Sequence, residues 1–138
     1  MAEDACNGAM GARYSARCSP HLLGAWAEDW AARWYQEHGY RILARNWSCA
    51  TGEIDIVAIR GALVVFCEVK ARSSLRFGAP AEAVGLAKQA RLRRLAAAWF
   101  AQSTCHAHPG RSPRPRFDCR FDVACVAGGQ LDVLQGAF

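Results

Sequence analysis

Long apolar runs, internal repeats and closely spaced cysteine pairs are all missing from this 138-residue chain. No stretch approaches the ~20 consecutive apolar residues with which a helix crosses a bilayer, so no segment of this chain is expected to span a membrane as a helix. The 7 cysteines are an odd number, none forms a Cys-x-x-Cys pair, and no secretory leader is recognisable. A disulfide scaffold is therefore set aside, and the reducing cytoplasm is the expected compartment. The cluster Cys105-His106-Ala107-His108, with Cys119 beyond it, matches no established zinc-ligand spacing. Lysine is scarce too, 2 against 15 arginines, so the formal charge of +5 rests on guanidinium groups. Planar donors of that kind suit phosphate, and a moderately basic balance favours nucleic acid over an acidic partner.

What is present is 52% apolar residues, enough at this length for one domain with its own core. Residues 1–20 lack periodicity and read as a disordered arm, leaving residues 21–138 as a single domain. Helical spacing over 22–38 places Leu23, Trp26, Ala27, Trp30, Ala31 and Trp34 on one stripe, expected to be core, with Gly39 as the C-cap. Glu28 lies at the edge of that stripe, where it either reaches water or an adjoining site. A strand over 40–47 follows, with Tyr40, Ile42 and Ala44 alternating against Arg41, Leu43 and Arg45. The segment 71–80 reads as a basic loop holding Arg72 and Arg76, suited to touching a phosphate backbone. A second helix is expected from about Pro80 or Leu86 to Gln102, burying Val84, Leu92, Leu95, Ala96 and Trp99. Its arginines Arg91, Arg93 and Arg94 turn outward, and Lys88 either snorkels to water or projects toward the sheet. Proline and glycine make 103–115 a loop insertion, before strands over 116–127 and 130–134. The order is α-β-β-β-α-β-β, an α/β fold with a mixed sheet flanked by helices.

The densest chemistry lies in 52–70. Two runs rich in Ile and Val flank Arg60-Gly61-Ala62, the signature of a β-hairpin. A two-residue loop with glycine first, as a type II′ turn prefers, pairs Arg60 with Leu63, Asp55 with Glu68 and Glu53 with Lys70. Period-two alternation then puts Glu53, Asp55, Glu68 and Lys70 on one face, together with Val64 and Phe66. Facing carboxylates repel, and acidic groups beside buried apolar ones need partners or a metal. A hard cation such as Mg²⁺ is held by one or two carboxylates plus waters and substrate phosphate. Lys70 beside it would position an attacking water or offset phosphate charge. The alternative is a row of solvent-facing charges on an amphipathic hairpin, since Glu-x-Lys alone is common on exposed strands.

Gly24-Ala25-Trp26-Ala27-Glu28-Asp29, the run from Gly39 to Trp47, Gly52-Glu53-Ile54-Asp55 and Val65-Phe66-Cys67-Glu68-Val69-Lys70 resemble the YraN family of uncharacterised bacterial proteins. Ala71-Arg72, the Lys88 to Leu92 run, Arg116-Phe117-Asp118 or Arg120-Phe121-Asp122-Val123, and the closing Gly136-Ala137-Phe138 extend the resemblance over nearly everything after residue 20. The likeness implies a restriction-endonuclease-like core, similar to Holliday-junction resolvases. It implies that Glu28, Asp55 and Glu68 hold Mg²⁺ or Mn²⁺, with Lys70 as their catalytic companion. Arg72, Arg76, Lys88 and Arg91 are the expected DNA contacts, made to the backbone without base readout. The expected activity is metal-dependent cleavage of DNA, branched or otherwise structured DNA included, and a homodimer is compatible with it. The competing expectation is a non-hydrolysing nucleic-acid-binding module of recombination or repair. A zinc-stabilised interaction protein built on Cys105 to Cys119 is a third.

Overall fold

Apolar residues recurring every three or four positions give the helices, and runs of Ile and Val give the strands. The computed structural model describes residues 20–72, 84–104 and 116–138. The elements are α1 (Pro20–Glu37), β1 (Arg41–Cys49), β2 (Gly52–Arg60), β3 (Leu63–Arg72), α2 (Leu86–Thr104), β4 (Asp118–Ala127) and β5 (Gln130–Leu134). They form the expected order α-β-β-β-α-β-β. The five strands make one sheet in the order β1-β2-β3-β4-β5. Only the β3–β4 pair is parallel, because the chain crosses over through α2 between them. Both the arm at 1–20, apart from its last residue, and the Cys/His cluster at 105–108 lie outside the described residues.

α1 stops where the sequence indicates. Gly39 takes a φ of 83° that only glycine adopts without steric penalty. The Tyr40 N–H donates to the Tyr35 carbonyl at 2.9 Å and the Gly39 N–H to the Gln36 carbonyl at 3.2 Å, closing a Schellman motif. The buried side of α1 differs from the expected stripe. Ala27, Ala31, Ala32 and Tyr35 are its buried residues, whereas Trp26, Trp30 and Trp34 are half-buried. Small alanines let the helix lie close to the sheet, and the bulky indoles are displaced to its flank, where Trp26 and Trp30 rest on each other at 5.1 Å. Trp30 therefore stabilises the fold less than a core tryptophan would.

Two cores result, one on each face of the sheet. On the α2 side Leu92, Leu95 and Ala96 pack with Ile54, Val57, Val64, Phe66, Val84, Phe121 and Val123. On the α1 side Ala31, Ala32, Tyr35 and Tyr40 pack with Ile56, Ala58, Val65, Cys67 and Ala124. Each fully buried Val, Leu, Ile or Phe side chain among these stabilises by ~1.5–3 kcal/mol.

The alternation slips at one level of the sheet. Ala44 and Trp47 on β1 both belong to the α2-side core, as do Ile54 and Val57 on β2, although strict period two would put residues three apart on opposite faces. β1 already carries a register shift between Ile42 and Ala44. Asn46, between Ala44 and Trp47, is the non-glycine residue with positive φ among the described residues, at 49°. The Arg45↔Ile56 and Trp47↔Ile54 pairs place Asn46 across from Asp55. The face change on both strands thus falls on these two polar residues.

Candidate active site

The β2–β3 hairpin carries the site. Arg60 pairs with Leu63 and Gly61 has φ 60°, so the two-residue turn and its register are as the sequence predicts. The ladder runs to Ile56↔Cys67, and the next step brings Asp55 level with Glu68. There the strands part. Asp55 Oδ2 accepts the Val69 N–H at 2.8 Å, so a side chain takes up a main-chain donor where β2 leaves β3. Below that point β2 pairs with β1 alone, and Glu53 lies opposite Ser48, exposed. The expected Glu53–Lys70 pairing is therefore not formed.

Glu68 is buried, and the chain's two lysines both end on its Oε1. Lys70 approaches from two residues along β3 at 3.2 Å. Lys88 reaches it from the first turn of α2, so it points toward the sheet rather than outward into solvent. Burial works against the Lys70 ammonium, yet its contact with Lys88 and the charge of Glu68 keep its pKa above the usual lysine value. Lys88 is displaced downward, by burial first, with Lys70 adding to the effect and Glu68 opposing it.

Asp55 is pushed up to about 7, by burial first and then by the charge of Glu68. The Val69 N–H opposes the shift, while Glu28 and Glu53 add to it. The sign follows. In the unfolded chain an aspartate ionises near ~3.9, so between there and about 7 the folded protein binds the extra proton. Stability contributed by protonated Asp55 is full below pH ~4 and is lost as pH rises through about 7. We expect the metal-free protein to lose stability over that window and Asp55→Asn to flatten the profile. Urea midpoints at a series of pH values test this, and parallel profiles for the two proteins would refute it.

Glu28 reaches the same region from α1, where its carboxylate is held by polar groups of β1. Asn46 Nδ2 donates to Glu28 Oε2 at 2.9 Å, and Arg45 lies 3.9 Å from the same oxygen while holding Asp29 at 2.7 Å. Among the described residues no three His, Cys, Asp or Glu side chains gather around one point as metal ligands. The expected ligands Glu28, Asp55 and Glu68 thus do not converge on one point in this structure; Asp55 and Glu68 lie level on the hairpin, and Asn46 holds Glu28 near Asp55. Two hard carboxylates, one of them driven toward its protonated form by burial and then by the other, still suit a cation that brings its own waters.

Of the expected DNA contacts, Arg91 is exposed, and its stem lies over Gly52 at the start of β2. Arg72 is the last residue of β3, half-buried and opposite Ala127, not part of a loop. Arg76 lies outside the described residues.

Sequence reading gave no role to a second polar centre, on the α1 side. Asp122, buried within β4, accepts the Tyr35 hydroxyl at 2.7 Å, the Arg120 Nε and Nη2 at 2.8 Å each, and the Gly136 N–H at 3.0 Å. Arg120 Nη2 also donates to the Tyr40 hydroxyl at 3.1 Å. Burial, then Cys67 and Asp122, raises the Tyr35 pKa. An aspartate inside the apolar run Phe121-Asp122-Val123 was the available signal.

The family model described as uncharacterised protein family UPF0102 matches residues 27–126. The chain is 52% identical over 104 residues to a UPF0102 protein of Beutenbergia cavernae, covering 75% of this chain and 80% of that one. It is 51% identical over 118 residues to one from Frankia casuarinae, covering 84% and 95%. A UPF0102 protein of Magnetococcus marinus is 41% identical over 124 residues, covering 87% and 94%.

Proposed function

The chain belongs to the uncharacterised protein family UPF0102, and on that footing we propose that it is a divalent-metal-dependent DNA endonuclease hydrolysing phosphodiester bonds. The observation that supports this most is the parting of β2 and β3 at Asp55 and Glu68, which leaves two carboxylates and two lysines at the mouth of the gap. Asp55 and Glu68 would hold Mg²⁺ or Mn²⁺. A bound cation of this kind makes its water more acidic and neutralises charge on the scissile phosphate.

The side chains divide the remaining work. Lys70, free to exchange Glu68 for a phosphate oxygen or the nucleophilic water, orients the attack and meets the charge that develops. Lys88 and Arg91, one helical turn apart on α2, approach the backbone phosphates flanking the cut. These contacts recognise phosphate only, so the preferred DNA is set by shape, with branched and single-stranded forms the substrates to compare.

One observation favours the second reading, a nucleic-acid-binding module without hydrolysis: both lysines already neutralise Glu68. Incubation with branched, single-stranded and duplex DNA in Mg²⁺ or Mn²⁺ separates the two. Cleavage that disappears in Asp55→Ala and Glu68→Ala is expected. DNA binding with no cleavage of any substrate in either metal would establish the accessory reading instead.

A further inference from the structure

We propose that Asn46 is a positioning residue of the metal site, holding the Glu28 carboxylate beside Asp55 from a left-handed turn of β1. This rests on the metal-dependent reading above. Three observations converge on the residue. Its φ of 49° is one that asparagine tolerates better than other side-chain-bearing residues. Its register position is across from Asp55, at the level where β1 and β2 both change faces. Its amide donates to Glu28 Oε2 at 2.9 Å.

The chemistry of the donor matters. Arg45 is the other candidate partner of Glu28, at 3.9 Å, but its guanidinium is committed to Asp29 at 2.7 Å. A neutral amide fixes the orientation of a carboxylate without cancelling its charge, whereas a close arginine would do both. Glu28 is thus oriented beside Asp55, where its carboxylate favours a cation directly or through one of that cation's waters. Outer groups that orient ligands in this way typically change metal affinity 10–100-fold when removed.

Substitution by glycine separates the two properties of Asn46, because glycine accepts the left-handed backbone and lacks the amide. Mn²⁺ binding to the purified protein, followed by calorimetry without DNA, is the measurement. Asn46→Gly is expected to weaken Mn²⁺ binding roughly tenfold or more while melting within a few degrees of the parent. Asn46→Asp keeps tolerance of the backbone but sets a second carboxylate against Glu28, and is expected to lose the orienting bond as well. Glu28→Gln should reproduce the loss, and the Asn46→Gly, Glu28→Gln double variant should bind no more weakly than either single one. Asp55→Asn is the control for the site itself. If Asp55→Asn abolishes Mn²⁺ binding while Asn46→Gly binds as the parent does, the role of Asn46 is overturned and the site stands. If Asp55→Asn binds Mn²⁺ normally, the metal site fails and the role of Asn46 with it.

Discussion

Asp122→Ala is expected to be the most destabilising single substitution on the α1 side of the sheet. The carboxylate accepts from the Tyr35 hydroxyl, both forks of Arg120 and the Gly136 N–H. Its removal leaves the guanidinium without its counter-charge and a fully buried hydroxyl without an acceptor. Breaking a buried ion pair from one side costs about 3–5 kcal/mol, and the 20% exposure of the Arg120 side chain places this loss at the lower end. Against the 5–15 kcal/mol typical of whole domains, that is a large fraction of the total. The closing residues should loosen as well, since Gly136 is tied to Asp122 and Phe138 stacks on Phe121 at 5.1 Å. Asp122→Asn preserves shape and one acceptor oxygen, and should fall between the two. Urea unfolding gives the numbers, and a loss below about 1 kcal/mol for Asp122→Ala would show that water replaces the network at little cost.

The largest expected effect on activity is that of Lys70→Ala, which should reduce DNA cleavage by roughly 10²–10³-fold, the usual consequence of deleting one preorganised electrostatic donor. DNA affinity should change little, because the lysine is proposed to act on the nucleophile and the developing charge. Replacing Arg91 and Arg94, both exposed on α2, should do the reverse. Binding should weaken similarly for all sequences, with a shallower dependence on salt. Affinities at several salt concentrations, with Ca²⁺ suppressing cleavage, measure one effect, and single-turnover rates in Mg²⁺ measure the other. An active Lys70→Ala protein would remove the lysine from the mechanism. Loss of DNA binding in Lys70→Ala alone would relocate the nucleic-acid groove.

Local chemistry settled a good deal from the amino-acid order alone. Gly61 permits the positive φ of a two-residue turn, and the turn dictates every pair from Arg60↔Leu63 to Ile56↔Cys67. Alternation along β3 then brings Lys70 to Glu68, and the helical period along α2 selects Leu92, Leu95 and Ala96 for burial. These are consequences of geometry over a few residues, which is why they are legible without the fold.

What the tertiary structure decided is where regular geometry gives way. The departure of β2 from β3 at Asp55, the left-handed Asn46 across from it and the capture of Glu28 by Asn46 depend on how β1, β2 and α1 meet. No local periodicity encodes that meeting. The same holds for the tryptophans of α1: helical spacing put them on one stripe, but the close approach of Ala27 and Ala31 to the sheet left the indoles at its margin. It holds too for Asp122, whose partners Tyr35, Arg120 and Gly136 come from three separate parts of the chain. A buried charge is stable only where distant donors converge on it, and that convergence exists only once the chain has folded.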